Sequence, residues 1–177
     1  MRAVRSCLVI LLLSILVFPA IIIQTVFLLV WRNGSRHFPS YFFRMVCALI
    51  EVRIETRGEI TDNGPVLIVS NHSSWLDIPA INACGPVSFV AKHEIASWPL
   101  FGVLAKLGRS IFIDRSRRHA TGEVTGELAQ RLADGDKIVL FAEGTSSDGN
   151  RVLPFKSAII GAAEKAIAQS GYDDILI

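Results

Sequence analysis

Hydrophobic and polar positions divide the chain into an apolar N-terminal part and a longer part in which short apolar runs alternate with helical patterns. Almost every residue from 7 to 30 is apolar, which is enough helix to cross a hydrocarbon core of about 30 Å. Arginines stand on both sides of this run, so the positive-inside rule favours neither orientation. We expect either a spanning helix or a re-entrant helix kinked at Pro19. A cleaved signal peptide is disfavoured because the run is longer than the usual apolar region of such peptides.

Residues 38–52 predict a second helix, because apolar side chains recur there at helical spacing. Lipid and a protein core both accept such a stripe, so an interfacial helix and a core-packing helix remain open. The stripe consists of Tyr41, Phe42, Met45, Leu49 and Val52.

Beyond Glu51 the alternation of β-rich runs with helical patterns is typical of an α/β layer. We expect a mixed sheet flanked by helices, preceded by the N-terminal membrane-associated helical segment. The predicted strands are 52–56, 66–70, 87–91, 110–113 and 137–141. The predicted helices are 74–83, 98–107, 121–133 and 157–169, and in the third of these Val124, Leu128 and Leu132 mark one buried face.

Composition strengthens the membrane interpretation. The chain of 177 residues is 51% hydrophobic and only 19% charged, which is more apolar than an ordinary soluble domain. Its formal net charge of +2 does not indicate a nucleic-acid partner. The three cysteines lack metal-binding or redox spacing, so we expect no metal and a reducing compartment.

The first chemical cluster is the heptapeptide 71–77, which follows the apolar run 66–69. A carboxylate bonded to one ring nitrogen of a histidine fixes the tautomer and stabilises the imidazolium, as general-base catalysis requires. If a helix opens just after His72, Asp77 lies about one turn further on and can reach back to the ring. The alternative is that His72 caps the helix and Asp77 is a solvated acid of its first turn.

Two further clusters end apolar runs, where open α/β sheets collect functional residues. In the segment 108–115, Arg115 is a candidate phosphate ligand because its planar guanidinium makes bidentate hydrogen bonds; the alternative is an exposed basic loop. In the segment 141–147, a Gly- and Ser-rich turn can offer backbone N–H groups to an anion. There Glu143 can instead make a structural hydrogen bond to neighbouring loops. Lys156 is a further candidate cation near this turn.

Several enzyme classes lose support because their motifs are missing from the sequence. There is no G-x-S-x-G elbow, no P-loop and no H-E-x-x-H motif. Serine hydrolases of the elbow type, P-loop nucleotidases and zincins are therefore disfavoured.

Taken in order, NHSSWLD at 71–77, GRSIFIDR at 108–115 and FAEGTSS at 141–147 resemble the glycerolipid acyltransferase family, the 1-acylglycerol-3-phosphate acyltransferases. The resemblance covers roughly residues 50–177. It implies that His72 is the catalytic base and Asp77 its partner. It also implies that Arg115 binds the acceptor phosphate, and that Glu143, Gly144 and Thr145 line the acceptor site. No cofactor is implied.

Two departures from the family pattern bear on the acceptor and on the extent of the chain. Many members that acylate lysophosphatidic acid carry Arg directly after Glu-Gly-Thr, where this sequence has Ser146. The variant resembles acyltransferases that act on lyso-ornithine lipids or other lysolipids. The family's fourth motif, a Pro-containing segment, would begin just beyond Ile177, so we expect a fragment truncated at its C-terminus.

The resemblance therefore implies a membrane-bound enzyme of phospholipid biosynthesis. Its acyl donor would be acyl-CoA or acyl-carrier protein, and its acceptor the hydroxyl of 1-acylglycerol-3-phosphate. Alternatives are acylation of lyso-ornithine lipid or another lysolipid, transfer of the acyl group to water, and non-catalytic lipid binding. We expect a membrane-anchoring region at residues 1–50 and an acyltransferase domain at 51–177 that faces the cytoplasm.

Overall fold

The computed structural model describes residues 2–60, 64–113 and 120–171. Contacts between Cα atoms divide the chain into two compact units. The first consists of Met1–Ile60 and Ile78–Pro86, and the second of Thr61–Asp77 and Val87–Ile177. The expected division into residues 1–50 and 51–177 stays a prediction.

In the first unit, two helices follow one another: α1 (Arg2–Val30) and α2 (Arg32–Leu49). α1 is long and apolar enough to cross a membrane by length and composition, and only 6% of its most apolar window is buried. It continues through Pro19 as one helix. Ser14 and Thr25 each donate a hydroxyl hydrogen bond to the carbonyl four residues earlier, which satisfies these polar groups within the helix.

α2 begins at Arg32, six residues before its predicted start at residue 38. Gly34 lies in the first turn of α2, where the absence of a side chain lets the Trp31 ring approach. A Cβ at Gly34 would overlap the Trp31 ring. The predicted stripe does not mark the buried side of α2, because Tyr41 and Met45 are exposed whereas Val46 and Cys47 are buried.

Residues 52–56 do not form the predicted strand. Their alternation of apolar and polar residues favours a strand, but among the described residues they join no ladder, and a strand needs a hydrogen-bonded neighbour. Val52 and Ile54 instead line an open cavity of about 410 Å³ in the first unit, together with Arg44, Ala48 and Ala83.

The second unit contains a sheet of four described strands in the order β1-β4-β2-β3. The strands are β1 (Val66–Ser70), β2 (Ser88–Lys92), β3 (Ile111–Ile113) and β4 (Lys137–Phe141). The expected α/β class is confirmed, but all described strand pairs are parallel rather than mixed. A helical connection lies between each pair of consecutive strands, and such crossovers return the chain in the same direction.

The remaining helices lie between or after the strands. They are α3 (Asp77–Cys84), a 3-10 helix (His93–Ser97), α4 (Phe101–Leu107), α5 (Ala120–Ala133) and α6 (Ser157–Ser170). The core on one side of the sheet joins strands β1 to β4 with α5 and α6. Leu128 and Leu132 belong to this core, as the periodicity of α5 predicts.

β4 lies between β1 and β2, and all five of its residues are buried. Ile138 and Leu140 point into the core formed with α5 and α6. Phe141 alternates with Leu140 and stacks on Phe89 with ring centroids 5.9 Å apart. The end of β4 therefore presents an aromatic surface at the edge of the sheet where the chemical motifs begin.

Candidate active site

The first and third sequence motifs meet at the carboxyl ends of the adjacent parallel strands β1 and β4. The register pairs Ser70 with Phe141, so His72 and Glu143 each stand two residues beyond a paired position. The Ala142 amide continues the contact by donating to the Ser70 carbonyl at 3.2 Å. Ligand sites of open α/β sheets occur at such strand ends.

His72 and Asp77 are joined by a direct hydrogen bond. The Nδ1 atom of His72 lies 2.8 Å from an Asp77 carboxylate oxygen. The two side chains are 20% and 22% exposed, so the pair is sheltered but reachable from solvent. The spacing of five residues predicted this proximity, because Asp77 is the first residue of α3 and its carboxylate reaches back over the preceding turn.

The Asp77 carboxylate is held by the turn that separates it from the histidine. It accepts hydrogen bonds from the Ser73 amide at 2.7 Å and the Ser74 amide at 2.9 Å, and from the Ser73 hydroxyl at 3.1 Å. Burial raises the pKa of Asp77, but the hydrogen bonds from Ser74, His72 and Ser73 outweigh it, so the pKa lies below its ordinary value. Asp77 therefore carries its charge at neutral pH.

Stacking holds the orientation of the His72 ring, and the bond to Asp77 selects its tautomer. The imidazole stacks on the Phe141 ring with centroids 4.0 Å apart and an angle of 18° between the planes. An Nδ1–H that donates to Asp77 leaves Nε2 with a free lone pair. Nε2 has no hydrogen-bond partner in the described part of the chain. An imidazole in this state is poised to accept a proton from a substrate.

Sequence reasoning missed Phe141 as a support for His72. The residue ends an apolar run, and its position beside the histidine depends on the register of two strands that are about 70 residues apart in sequence. The amides of Ser73 and Ser74 were also missed as partners of Asp77. Their signal is local, because an acid that follows two serines at the start of a helix is well placed to accept their backbone hydrogen bonds.

The loop after β4 is attached to the histidine motif through the main chain. The Ser147 amide donates to the His72 carbonyl at 2.8 Å. Gly144 adopts φ +70°, a conformation that favours glycine, and its amide donates to the Phe141 carbonyl at 3.0 Å. The tight turn at Gly144 thus brings the following residues back toward His72.

Glu143 makes the structural hydrogen bond considered from the sequence. Its side chain is only 1% exposed, and Oε1 accepts from the Leu153 amide at 3.0 Å. Oε2 has no hydrogen-bond partner among the residues that the structure describes. The bond from Leu153 to Glu143 therefore connects the two ends of the loop 144–153. The acceptor-binding roles expected for Glu143, Gly144 and Thr145 stay predictions.

Thr145 and Ser146 are exposed at the start of this loop, directly after Gly144. In the described ranges, neither of their backbone N–H groups donates a hydrogen bond to the protein. Two unbonded amides beyond a positive-φ glycine are available as donors to an anionic oxygen.

The second motif contributes differently. Arg115 lies outside the described residues, so its phosphate-binding role stays a prediction. Arg109 of the same motif lies before β3, at the amino ends of the strands, where its guanidinium donates to Asp136 at 2.8 Å. Arg131 also pairs with Asp136 and donates to the Ser88 hydroxyl at 2.9 Å. This buried network joins β2, the start of β4 and α5, and it is structural.

The described residues leave the role of Lys156 as a nearby cation a prediction, and they offer no metal cluster. No group of three His, Cys, Asp or Glu side chains within them is arranged to hold a metal ion. Lys156 is exposed, and its backbone amide donates to the Ala142 carbonyl at 2.9 Å. The candidate site therefore consists of the His72–Asp77 pair and a loop in which the Thr145 and Ser146 amides are unbonded within the described residues.

A parallel α/β sheet with a carboxylate-bonded histidine at the carboxyl ends of its strands suits acid–base chemistry without identifying a reaction. Comparison with known families adds that identification. The family model described as Acyltransferase matches residues 51–177, so the chain belongs to the acyltransferase family. The resemblance inferred from the three motifs is thereby confirmed.

The individual relatives are named as acyltransferases of several different lysolipids. A lyso-ornithine lipid O-acyltransferase of Brucella abortus is 48% identical over 87% of this chain and 58% of that protein. A 1-acyl-sn-glycerol-3-phosphate acyltransferase of Neisseria meningitidis is 35% identical over 74% of this chain and 54% of that protein. The chain thus spans about half the length of the curated relatives it matches.

The fold has a counterpart in a crystal structure. The 1-acyl-sn-glycerophosphate (LPA) acyltransferase PlsC of Thermotoga maritima superposes with a TM-score of 0.72. The match covers 94% of this chain and 72% of that chain at 23% sequence identity. This likeness establishes the α/β fold with its apolar N-terminal helix.

Proposed function

We propose that this chain carries the acyl-transfer site of a membrane-bound O-acyltransferase that esterifies the hydroxyl of a lysolipid. The observation that carries the proposal is the hydrogen bond of 2.8 Å between His72 Nδ1 and the Asp77 carboxylate. It leaves Nε2 as a base on the motif to which the loop carrying the unbonded Thr145 and Ser146 amides is attached. Membership of the acyltransferase family supports acyl transfer as the reaction of this site.

In the proposed reaction, Nε2 of His72 removes the hydroxyl proton as the acceptor oxygen attacks the thioester carbonyl carbon. The carbonyl π electrons move onto oxygen, and the amides of Thr145 and Ser146 stabilise the resulting oxyanion. Collapse of the tetrahedral intermediate breaks the carbon–sulfur bond. The imidazolium then returns its proton to the departing thiolate, while the Asp77 charge stabilises the imidazolium throughout.

Lyso-ornithine lipid is the acceptor that the comparisons favour. The relative at 48% identity carries that name. Ser146 also stands where many acyltransferases that act on lysophosphatidic acid carry an arginine after Glu-Gly-Thr. The second candidate is 1-acylglycerol-3-phosphate, which the name of the Neisseria meningitidis relative favours and for which Arg115 would supply the phosphate contact.

The donor and the location complete the proposal. Acyl-CoA and acyl-carrier protein both supply the thioester that this mechanism needs. α1 anchors the protein in the membrane, and the second unit faces the cytoplasm, where both donors are made available. The long apolar surface of α1 supports membrane association.

Replacement of His72 by Ala in the full-length protein tests the proposed base. We expect release of free thiol from acyl-CoA to fall by about 10²- to 10⁴-fold, the usual contribution of a general base. His93→Ala is the matched control, because His93 is an exposed histidine of the same unit without a carboxylate partner in the described residues. Near-normal turnover by the His72→Ala enzyme would refute the assignment.

A panel of acceptors distinguishes the substrates and the rival functions. Radiolabelled acyl donor is supplied with lyso-ornithine lipid or with lysophosphatidic acid, and the lipid products are separated. A preference for lyso-ornithine lipid supports the leading acceptor, and the reverse preference supports the second. Free fatty acid would indicate a hydrolase, and lysolipid binding without any product would indicate a non-catalytic lipid-binding protein.

A further inference from the structure

Residues 93–107 of the second unit are far more exposed to solvent than the core. They comprise the 3-10 helix, a turn and α4, and Gly102 is the only buried residue among them. Yet α4 has a single polar side chain, Lys106. A helix that is apolar on all sides is normally buried in protein or in lipid.

The exposed side chains of this segment form an apolar tip, which we define as Trp98, Leu100, Phe101 and Val103. Each of the four is between 46% and 60% exposed. Single exposed apolar residues are ordinary, but a contiguous aromatic and aliphatic surface marks an interaction site.

The backbone holds the tip in a strained conformation. Leu100 has φ 61° and ψ −56°, and the Phe101 amide donates to the Pro99 carbonyl at 2.7 Å. These values describe the rare γ-turn with positive φ, which is strained for a residue with a side chain. Strain of this kind persists where the surrounding structure imposes it, and it concentrates at functional sites.

The neighbouring helices impose this strain by close packing. A Cβ at Gly102 would lie 2.5 Å from the Ala96 carbonyl oxygen, so only glycine allows α4 to begin against the 3-10 helix. The Gly102 amide donates to the Trp98 carbonyl at 2.9 Å, and the Leu104 amide donates to the Leu100 carbonyl at 2.9 Å. The fold thus presents apolar side chains to solvent on a rigid support.

Charge and chemistry indicate what covers the tip. Lys92 precedes the 3-10 helix and Lys106 lies in the last turn of α4; both are exposed, and Glu94 is the only acid between them in sequence. Lys106 follows Val103 by three residues, so the two lie on the same face of α4. Tryptophan and phenylalanine flanked by lysines match the interface of a bilayer with anionic headgroups.

We infer that the apolar tip inserts into the interfacial region of a lipid bilayer as a second membrane contact, separate from α1. The same chain carries α1, which by length and composition can cross a membrane. Covalent attachment to such a helix keeps the second unit near a bilayer at high effective concentration, so even a weak contact is occupied. The inference is independent of the chemistry at His72.

Quenching of tryptophan fluorescence by brominated lipids tests the contact directly. Trp31→Phe and Trp75→Phe leave Trp98 as the reporter in the full chain, which is reconstituted in vesicles of phosphatidylcholine and phosphatidylglycerol. An indole at the boundary of headgroups and acyl chains should lose roughly half of its emission when the acyl chains are brominated. The control reporter adds Trp98→Phe and Gln169→Trp, which places the indole at an exposed position of α6, and it should remain unquenched.

A charge within the tip provides the second variant. Leu100→Asp in the Trp98 reporter should abolish most of the quenching, and Asp is compatible with positive φ. Val152→Asp places the same charge at an exposed apolar residue outside the tip and should leave the quenching unchanged. Far-UV circular dichroism confirms folding of each variant.

Three outcomes would overturn the inference. Unquenched Trp98 would mean that another segment or a partner protein covers the tip. Quenching of Trp98 that survives Leu100→Asp would mean that the indole meets lipid without insertion of the tip. Equal quenching of the reporter at position 169 would show that attachment through α1 alone explains the signal.

Discussion

The hydrogen bond between His72 and Asp77 fixes both the position and the tautomer of the imidazole that we propose as the base. Asp77 also accepts from the Ser73 and Ser74 amides, so its charge stabilises the turn that carries the histidine. One carboxylate therefore serves the proposed chemistry and the local fold. Stability and activity measurements separate these two roles. Unfolding experiments at different pH values follow only the contribution of the Asp77 charge to the fold.

Asp77→Asn should lower both activity and acid-dependent stability. Loss of the charge removes stabilisation of the imidazolium, and we expect kcat to fall by about 10²- to 10⁴-fold. The pKa of Asp77 is lower in the folded state than in the unfolded state. Its contribution to stability is therefore present above the unfolded pKa and is lost as the pH falls through the folded pKa.

Denaturant unfolding across pH checks this sign. At pH 7 the Asp77→Asn protein should be less stable than the wild type, and the difference should shrink below about pH 4. Glu127→Gln removes an exposed carboxylate on α5 and controls for the change in net charge. A stability gap that persists undiminished into acid would contradict the assigned role of the Asp77 charge.

Ser146→Arg should move acceptor preference toward lysophosphatidic acid. Ser146 is exposed in the loop beside His72, and a charged hydrogen bond to a phosphate is worth about 1.5–3 kcal/mol. The ratio of kcat/KM for lysophosphatidic acid over lyso-ornithine lipid should therefore rise on the order of 10- to 100-fold. Ser146→Gln has comparable length without the charge, and an equal effect from it would exclude a phosphate contact.

At the scale of elements, glycine is required where α4 meets the 3-10 helix. Gly102→Ala forces a Cβ to within 2.5 Å of the Ala96 carbonyl oxygen, and such overpacking costs about 1–3 kcal/mol. Gly126→Ala on α5 is the matched control, because no atom lies within 4 Å of the added Cβ, and it should stabilise by about 0.5–1 kcal/mol. Thermal unfolding of the purified chain in detergent measures both, and equal effects would contradict the packing described for Gly102.

Strands with continuous apolar runs were predicted correctly from the sequence, whereas the alternating apolar and polar residues of 52–56 gave a wrong strand prediction. The ranges 66–70 and 137–141 coincide with β1 and β4, because buried parallel strands are apolar on both faces. The range 52–56 was wrong, because its half-apolar pattern fits the wall of a cavity as well as it fits a strand. The start of α2 was missed because residues 32–37 carry no apolar side chain that would extend the helical stripe.

The candidate site was predictable only where its contacts are local in sequence. The His72–Asp77 pair depends on one turn of chain and was predicted. The Phe141 stack depends on the pairing of β1 with β4, and the role of Arg109 depends on Asp136 across the sheet. Contacts of this kind follow from strand order, which no single segment encodes.

At the scale of the whole molecule, the exposed apolar surface of α1 predicts stable membrane association. Leu11→Lys with Ile15→Lys places two charges on exposed positions near the middle of the helix, each costing about 2.5–3.5 kcal/mol on insertion. The double variant should be released by alkaline carbonate, whereas wild type should stay with the membrane. Val4→Lys adds a charge near the helix end, where a lysine can reach the headgroups, and it should behave as wild type.

Retention of the double variant in the carbonate-washed membrane would contradict an embedded α1. The same fractionation also bears on the apolar tip of the second unit. A tip that only touches the interface should not resist carbonate by itself, so release of the double variant and quenching of Trp98 are compatible outcomes. The two membrane contacts can thus be assigned separately.

The bond from the Ser147 amide to the His72 carbonyl has a consequence for the divergence of relatives. Any residue except proline can donate that bond, so the exposed side chains at 145 and 146 can change without detaching the loop from His72. Under the proposed function, headgroup recognition can therefore evolve while the position of His72 stays fixed, as expected for relatives named after different lysolipids. At position 147, only a change to proline would remove the hydrogen bond between this loop and the His72 carbonyl.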